Sequence, residues 1–115
     1  MSPAPTVPTV PADEGQALVS GGAMLLDVRE PDEWGAGHAP GAAFMPMGQV
    51  EEHIDELPRD RRIVVICRSG GRSATVTQAL VAAGFDGVNL AGGMRAWAAS
   101  GFDVVTDDGS PGVVA

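Results

Sequence analysis

One heptapeptide concentrates most of the chemistry this chain can do: Cys67-Arg68-Ser69-Gly70-Gly71-Arg72-Ser73. Cysteine reacts as thiolate, and its neighbours decide how much thiolate exists at neutral pH. Gly70 and Gly71 allow backbone angles that aim several N–H groups into one concavity, an anion nest. Ser73 stands where a helix begins, so first-turn donors and the positive end of the helix dipole face the same spot. Arg68 and Arg72 bring two guanidinium groups, whose fork matches oxyanions such as thiosulfate, sulfate or phosphate. The alternative is that Cys67 is a small buried hydrophobe ending a strand. A loop with two arginines and two glycines does not suit that role, so Cys67 is read as a nucleophile. Arg68, Ser69, Gly70, Gly71, Arg72 and Ser73 are then its anion-binding surroundings.

The elements around the loop must present it. Ile63-Val64-Val65-Ile66 is an unbroken β-branched apolar run, expected to be a strand buried on both faces. Cys67 follows it directly, at the carboxyl end, where open α/β sheets place their ligands. A helix is expected over Ser73–Ala83, stopped by Gly84. Upstream, Ala12–Ser20 reads as a helix, Met24–Val28 as a strand broken in character only by Asp27, and Glu30–Trp34 as the start of a helix. A short strand around Ala42–Met45 and an amphipathic helix over Met47–Leu57 follow. Downstream come a strand at Val88–Leu90, a turn at Gly92-Gly93 and a helix over Met94–Ser100. Alternating strands and helices with crossovers of βαβ length predict a parallel sheet covered on both faces, hence an α/β fold.

The chain has 115 residues, enough for one core and not two. Residues 1–9 are expected to be an extended leader, 10–103 the domain, and 104–115 a flexible tail. The formal net charge is −8 and all seven basic residues are arginine, which disfavours nucleic-acid binding by bulk electrostatics. No apolar run approaches the roughly 20 residues of a membrane helix, and the first ten residues lack a signal-peptide pattern. With a single cysteine there is no intrachain disulfide, and the cytoplasm is the expected setting. His38 and His53 have no ligand spacing with Cys67, so no metal and no cofactor are expected.

At the level of motifs, Cys67–Ser73 resembles the active-site loop of single-domain rhodaneses, the sulfurtransferases. Leu25-Leu26-Asp27-Val28-Arg29-Glu30 resembles the family's early strand motif. Gly37-His38-Ala39-Pro40-Gly41-Ala42 resembles its Gly-His-hydrophobe-Pro-Gly-Ala loop, with Ala39 smaller than the usual Ile. Gly92-Gly93-Met94-Arg95-Ala96-Trp97 resembles its closing Gly-Gly-x-x-x-Trp motif. The resemblance spans roughly residues 10–103 and implies a five-stranded parallel sheet flanked by helices, with a persulfide cradled in the cysteine loop. It implies ping-pong transfer of sulfane sulfur from thiosulfate, or a related persulfide donor, to cyanide or a thiol. A sulfur carrier loaded by a partner protein needs the same loop and is the alternative. Phosphatase or arsenate reductase chemistry stands third: the related cell-cycle phosphatases have a loop one residue longer than the four residues separating Cys67 from Arg72 here.

Other residues have plainer expected roles. Asp27 and Arg29 sit at the end of the first core strand and should support the loop from behind, because a buried Asp needs a partner. His38 is expected to serve its Gly- and Pro-rich loop rather than act as a base, and Trp97 to plug the core. Glu51, Glu52, Asp55 and Glu56 read as the solvated face of a helix. The expected partners are a small sulfur-bearing anion and a thiol acceptor, with a protein sulfur donor or acceptor as the alternative, and the chain itself a monomer or weak homodimer.

Overall fold

A computed structural model describes residues 7–115. Five parallel strands, β1 (Thr9–Val10), β2 (Met24–Asp27), β3 (Ala43–Phe44), β4 (Ile63–Ile66) and β5 (Gly87–Leu90), form one sheet in the order β1-β5-β4-β2-β3. Helices α1 (Ala12–Ser20), α2 (Pro31–Ala36), α3 (Met47–His53), α4 (Gly71–Ala82) and α5 (Gly93–Ala99) connect them. The fold class is therefore the expected one. Residues 1–6 of the expected leader lie outside the described residues, while Thr9 and Val10 pair with Asn89 and Leu90 at the sheet's edge. Proline spacing around this segment masked that pairing in the sequence.

β4 is central and all four of its side chains are fully buried. Its pleat divides them between two cores. Ile63 and Val65 join Leu26, Val50, Leu57, Val76 and Leu80 beneath α3 and α4. Val64 and Ile66 join Leu25, Leu90, Met94 and Trp97 beneath α1 and α5. At about 1.5–3 kcal/mol per buried aliphatic side chain, this strand is fixed in register, and with it the position of the residue that follows.

Two expectations change. The helix expected over Met47–Leu57 ends at His53 and tightens into a 3-10 turn over Ile54–Glu56. The tail expected to be flexible is instead held to the domain. Val105 exchanges backbone hydrogen bonds with His38, and the Val113 N–H donates to the Ala36 carbonyl. Asp107 accepts from Trp34 Nε1 at 3.2 Å and lies 2.9 Å from His38 Nε2. His38 in turn stacks on Trp34, with ring centroids 3.7 Å apart. Its role is to bind its loop to the tail, in line with the architectural reading.

The sheet's carboxyl edge is closed by a buried ion pair. Asp27 and Arg29 are both inaccessible to solvent. Arg29 donates through Nη2 to Asp27 Oδ2 at 2.8 Å and to the Gly37 carbonyl at 2.8 Å, and through Nη1 to the Glu33 carbonyl at 3.3 Å. One guanidinium thus ties β2 to both ends of α2. Replacing Asp27 by Ala would strand that charge in the core. We expect Asp27→Ala to lower the unfolding free energy by about 3–5 kcal/mol in urea titrations, or to prevent folding.

Candidate active site

Cys67 leaves the carboxyl end of β4 and is 1% exposed. Burial on its own pushes a thiol pKa upward, and this is the largest single influence here. It is outweighed by donors. In order of weight these are the Ser73 hydroxyl and the backbone N–H groups of Ser73, Gly70 and Ser69, and together they hold the Cys67 pKa below its ordinary value. The Gly70 N–H lies 3.1 Å from Sγ and Ser73 Oγ lies 3.2 Å from it.

The local backbone explains how so many donors converge. α4 begins at Gly71, two residues before the expected start, because Gly70 adopts a left-handed conformation (φ 109°) that turns the chain directly into the helix. No side-chain oxygen caps α4. The Cys67 sulfur takes that place, with the Ser73 N–H of the first turn and the N–H groups of Gly70 and Ser69 just before it acting on the sulfur. The loop is braced from outside by α5: Met94 N–H donates to the Cys67 carbonyl at 2.8 Å and Arg95 N–H to the Arg68 carbonyl at 3.1 Å. Only glycine permits this approach at position 93, where a Cβ would lie 2.4 Å from the Cys67 carbonyl oxygen. The Gly-Gly turn noted in the sequence therefore has a job that no spacing rule revealed: it seats a helix N-terminus on the back of the cysteine loop.

The arginines depart from expectation. Arg72 does not present a free fork to the sulfur. Its Nη1 and Nη2 donate to Glu33 Oε1 and Oε2 at 2.7 and 2.8 Å. Its charge is nonetheless felt at Cys67. Arg68 is exposed and donates through Nε to the Ala115 carbonyl at 2.8 Å. Neither guanidinium hydrogen-bonds to Sγ, because each finds a carbonyl or carboxylate partner on another segment. Ser69, Gly70, Gly71 and Ser73 follow Cys67 in the turn and the start of α4, with Ser73 fully buried and Gly71 exposed. Asp27 ends β2, the strand paired with β4, in register with Ile66, and Arg29 follows two residues later.

Sequence reasoning missed two residues of the site. Glu33 was seen only as a helix-start acid. It completes a capping box with Glu30 while clamping Arg72, a double role that its place in the first turn of α2 does not disclose. Asn89, at the middle of β5, has Oδ1 2.6 Å from Ser73 Oγ. A polar residue between Val88 and Leu90 in a buried strand was the available signal.

The chain matches the family described as Rhodanese-like domain over residues 11–100. It belongs to that family. The rhodanese-like fold is also seen in a rhodanese-related protein from Thermoplasma volcanium, 30% identical, whose structure superposes with a TM-score of 0.82 over 87% of this chain and 99% of that one. A sulfurtransferase of Allochromatium vinosum is 39% identical across 75% of this chain and 81% of its own length. The thiosulfate sulfurtransferase GlpE of Pseudomonas syringae is 33% identical across 76% of this chain and 84% of its own. Sulfur transfer is thus the general chemistry attached to this rhodanese-like domain's relatives.

The Arg72 clamp holds the Glu33 carboxyl down to about 2, with desolvation opposing it and the Glu30 N–H adding to it. A carboxylate whose pKa is depressed by folding contributes stability that is complete above its unfolded value, 4.5, and is lost as pH falls toward 2. Stability of the wild type should therefore decline across that window more steeply than stability of Glu33→Gln, as measured by urea unfolding at a series of pH values.

Proposed function

We propose that the protein is a sulfurtransferase that moves sulfane sulfur from thiosulfate, or a related persulfide donor, to a thiophilic acceptor through a persulfide on Cys67. The observation that carries this reading is the buried Sγ ringed by backbone N–H groups and a hydroxyl. Such a ring stabilises negative charge in a place where water cannot.

The chemistry follows in two half-reactions. The Cys67 thiolate attacks the outer sulfur of thiosulfate, forming an S–S bond; the donor's own S–S bond breaks and its electron pair leaves with sulfite. The enzyme then holds Cys67-S-S⁻. A thiophile such as cyanide attacks the terminal sulfur, the new S–S bond breaks, thiocyanate departs and the thiolate returns. No proton moves in either step, so no general base is needed once the thiolate exists. Persulfide formation carries the charge outward by one S–S bond, about 2 Å, which brings the reacting atom from the buried base of the loop toward its mouth. The amides of Ser69 and Gly70, with the first turn of α4, are the donors available to that terminal sulfur. Arg72, held by Glu33, supplies positive charge without a free fork.

A second reading keeps the persulfide and changes its source. With Cys67 only 1% exposed, a donor must present a single sulfur atom to it. A partner protein offering a persulfide from an extended segment meets that condition as well as thiosulfate does, and the domain then works as a carrier.

Intact-mass measurement separates the two. Reduced protein incubated with thiosulfate should gain about 32 Da, the mass of one sulfur, and lose it on addition of cyanide; Cys67→Ser should gain nothing. Absence of a gain with thiosulfate, together with a gain from a protein persulfide, selects the carrier. Cyanide-dependent turnover retained by Cys67→Ser overturns both.

A further inference from the structure

The Ser73 hydroxyl has two acceptors and one proton. Its Oγ lies 2.6 Å from Asn89 Oδ1 and 3.2 Å from Cys67 Sγ, all three groups being buried. Asn89 is 6% exposed and, among the described residues, its amide has one other hydrogen-bond partner, the Gly70 carbonyl, 3.4 Å from Nδ2. A carbonyl can only accept, so the amide edge facing Gly70 is the NH₂ and the edge facing Ser73 is the oxygen. Oδ1 can only accept too. The short contact is therefore carried by the Ser73 proton, and a hydroxyl donating there has no proton left for the sulfur.

We propose that Asn89 is a positioning residue whose Oδ1 competes with the Cys67 sulfur for the single proton of the Ser73 hydroxyl and so sets how much negative charge the sulfur carries. The inference rests on Cys67 being the nucleophile of the proposed sulfur transfer.

The competition runs differently in each state. In the thiol, the Cys67 S–H points to Ser73 Oγ and the hydroxyl donates to Asn89, so every group is satisfied. When the thiol proton passes to water, the hydroxyl turns to the thiolate. Asn89 Oδ1 then faces an oxygen 2.6 Å away with no proton between them. Relief requires the amide to rotate, which sets Oδ1 against the Gly70 carbonyl. Either arrangement opposes the thiolate. In the persulfide the charge has moved to the terminal sulfur, where the loop amides hold it, and the hydroxyl returns to Asn89. The device thus disfavours the unloaded thiolate relative to the loaded persulfide.

The charged groups around the sulfur do not duplicate this effect. Arg72 of α4 is clamped by Glu33 of α2 and also feels Glu30. Arg29 and Asp27 at the end of β2 are closed on each other. Arg68 reaches Ala115, and Arg95 of α5 touches the loop through its backbone N–H. None of these side chains hydrogen-bonds to Ser73 or Asn89.

The test is the pH dependence of Cys67 alkylation by iodoacetamide on the full chain, which requires no sulfur transfer. Asn89→Ala should move the midpoint down by about half a unit, giving about threefold more thiolate below it. Asn89→Val, which restores a strand-favouring side chain but no acceptor, should do the same. In Ser73→Ala, where there is no proton to compete for, adding Asn89→Ala should leave the midpoint where Ser73→Ala put it. An unchanged or raised midpoint in folded Asn89→Ala and Asn89→Val overturns the proposal, as does an equal fall in the Ser73→Ala background. Normal alkylation shifts with no persulfide from any donor would instead overturn the proposed sulfur transfer and leave the proton competition standing.

Discussion

A negative charge on a sulfur that is almost wholly buried is the constraint on which this structure depends. Desolvation opposes that charge, so the surroundings must supply hydrogen-bond donors at close range and hold them still. Backbone N–H groups do this better than flexible side chains, since they are ordered already by the helix that follows. Each larger feature serves that arrangement. β4, buried on both faces, fixes where Cys67 stands. Gly70 turns the chain so that α4 begins under the sulfur. Gly93 lets α5 seat its first N–H groups on the loop's carbonyls. The carbonyls of Cys67 and Arg68 are thus satisfied from behind, and the loop has no reason to turn them toward the sulfur.

The side-chain charges act at one remove. Arg72 is held by Glu33, α2 is held by Arg29 through the Glu33 and Gly37 carbonyls, and Arg29 is neutralised by Asp27. This chain of contacts runs from the loop's far end to the strand beside β4. It makes Arg72, which the sequence suggests is an anion-grasping arginine, part of a brace, while Arg68 is held separately by the Ala115 carbonyl. The division suits the proposed small anionic donor on a chain of net charge −8.

Much of this was legible because it is written in apolar pattern and turn chemistry. Ile63–Ile66 reads as a strand buried on both faces, and Gly70 and Gly71 as a turn leading toward a helix. The α1 limits, Ala12–Ser20, followed from a proline before and glycines after. What stayed hidden depends on partners far apart in sequence. Arg72 meets Glu33 across 39 positions, and Ser73 meets Asn89 across 16. Spacing along the chain carries no information about either pair until the strand order is known. The tail was misjudged for a related reason. Asp, Gly and Pro near Asp107–Gly112 signal turns, and turns look the same in sequence whether they hang free or fold back. Its docking comes from backbone pairing with His38 and Ala36 and from Asp107 meeting Trp34 and His38, partners that lie about seventy positions away in sequence.

The account stands or falls on where the transferred sulfur rests. A crystal structure of the reduced protein soaked in thiosulfate measures that directly. The account predicts one added atom about 2 Å from Cys67 Sγ, within hydrogen-bond distance of the Ser69–Gly71 amides and the start of α4, with Arg72 still clamped to Glu33. An added sulfur pointing away from those amides, or an intact oxyanion gripped by an Arg72 that has released Glu33, would contradict it.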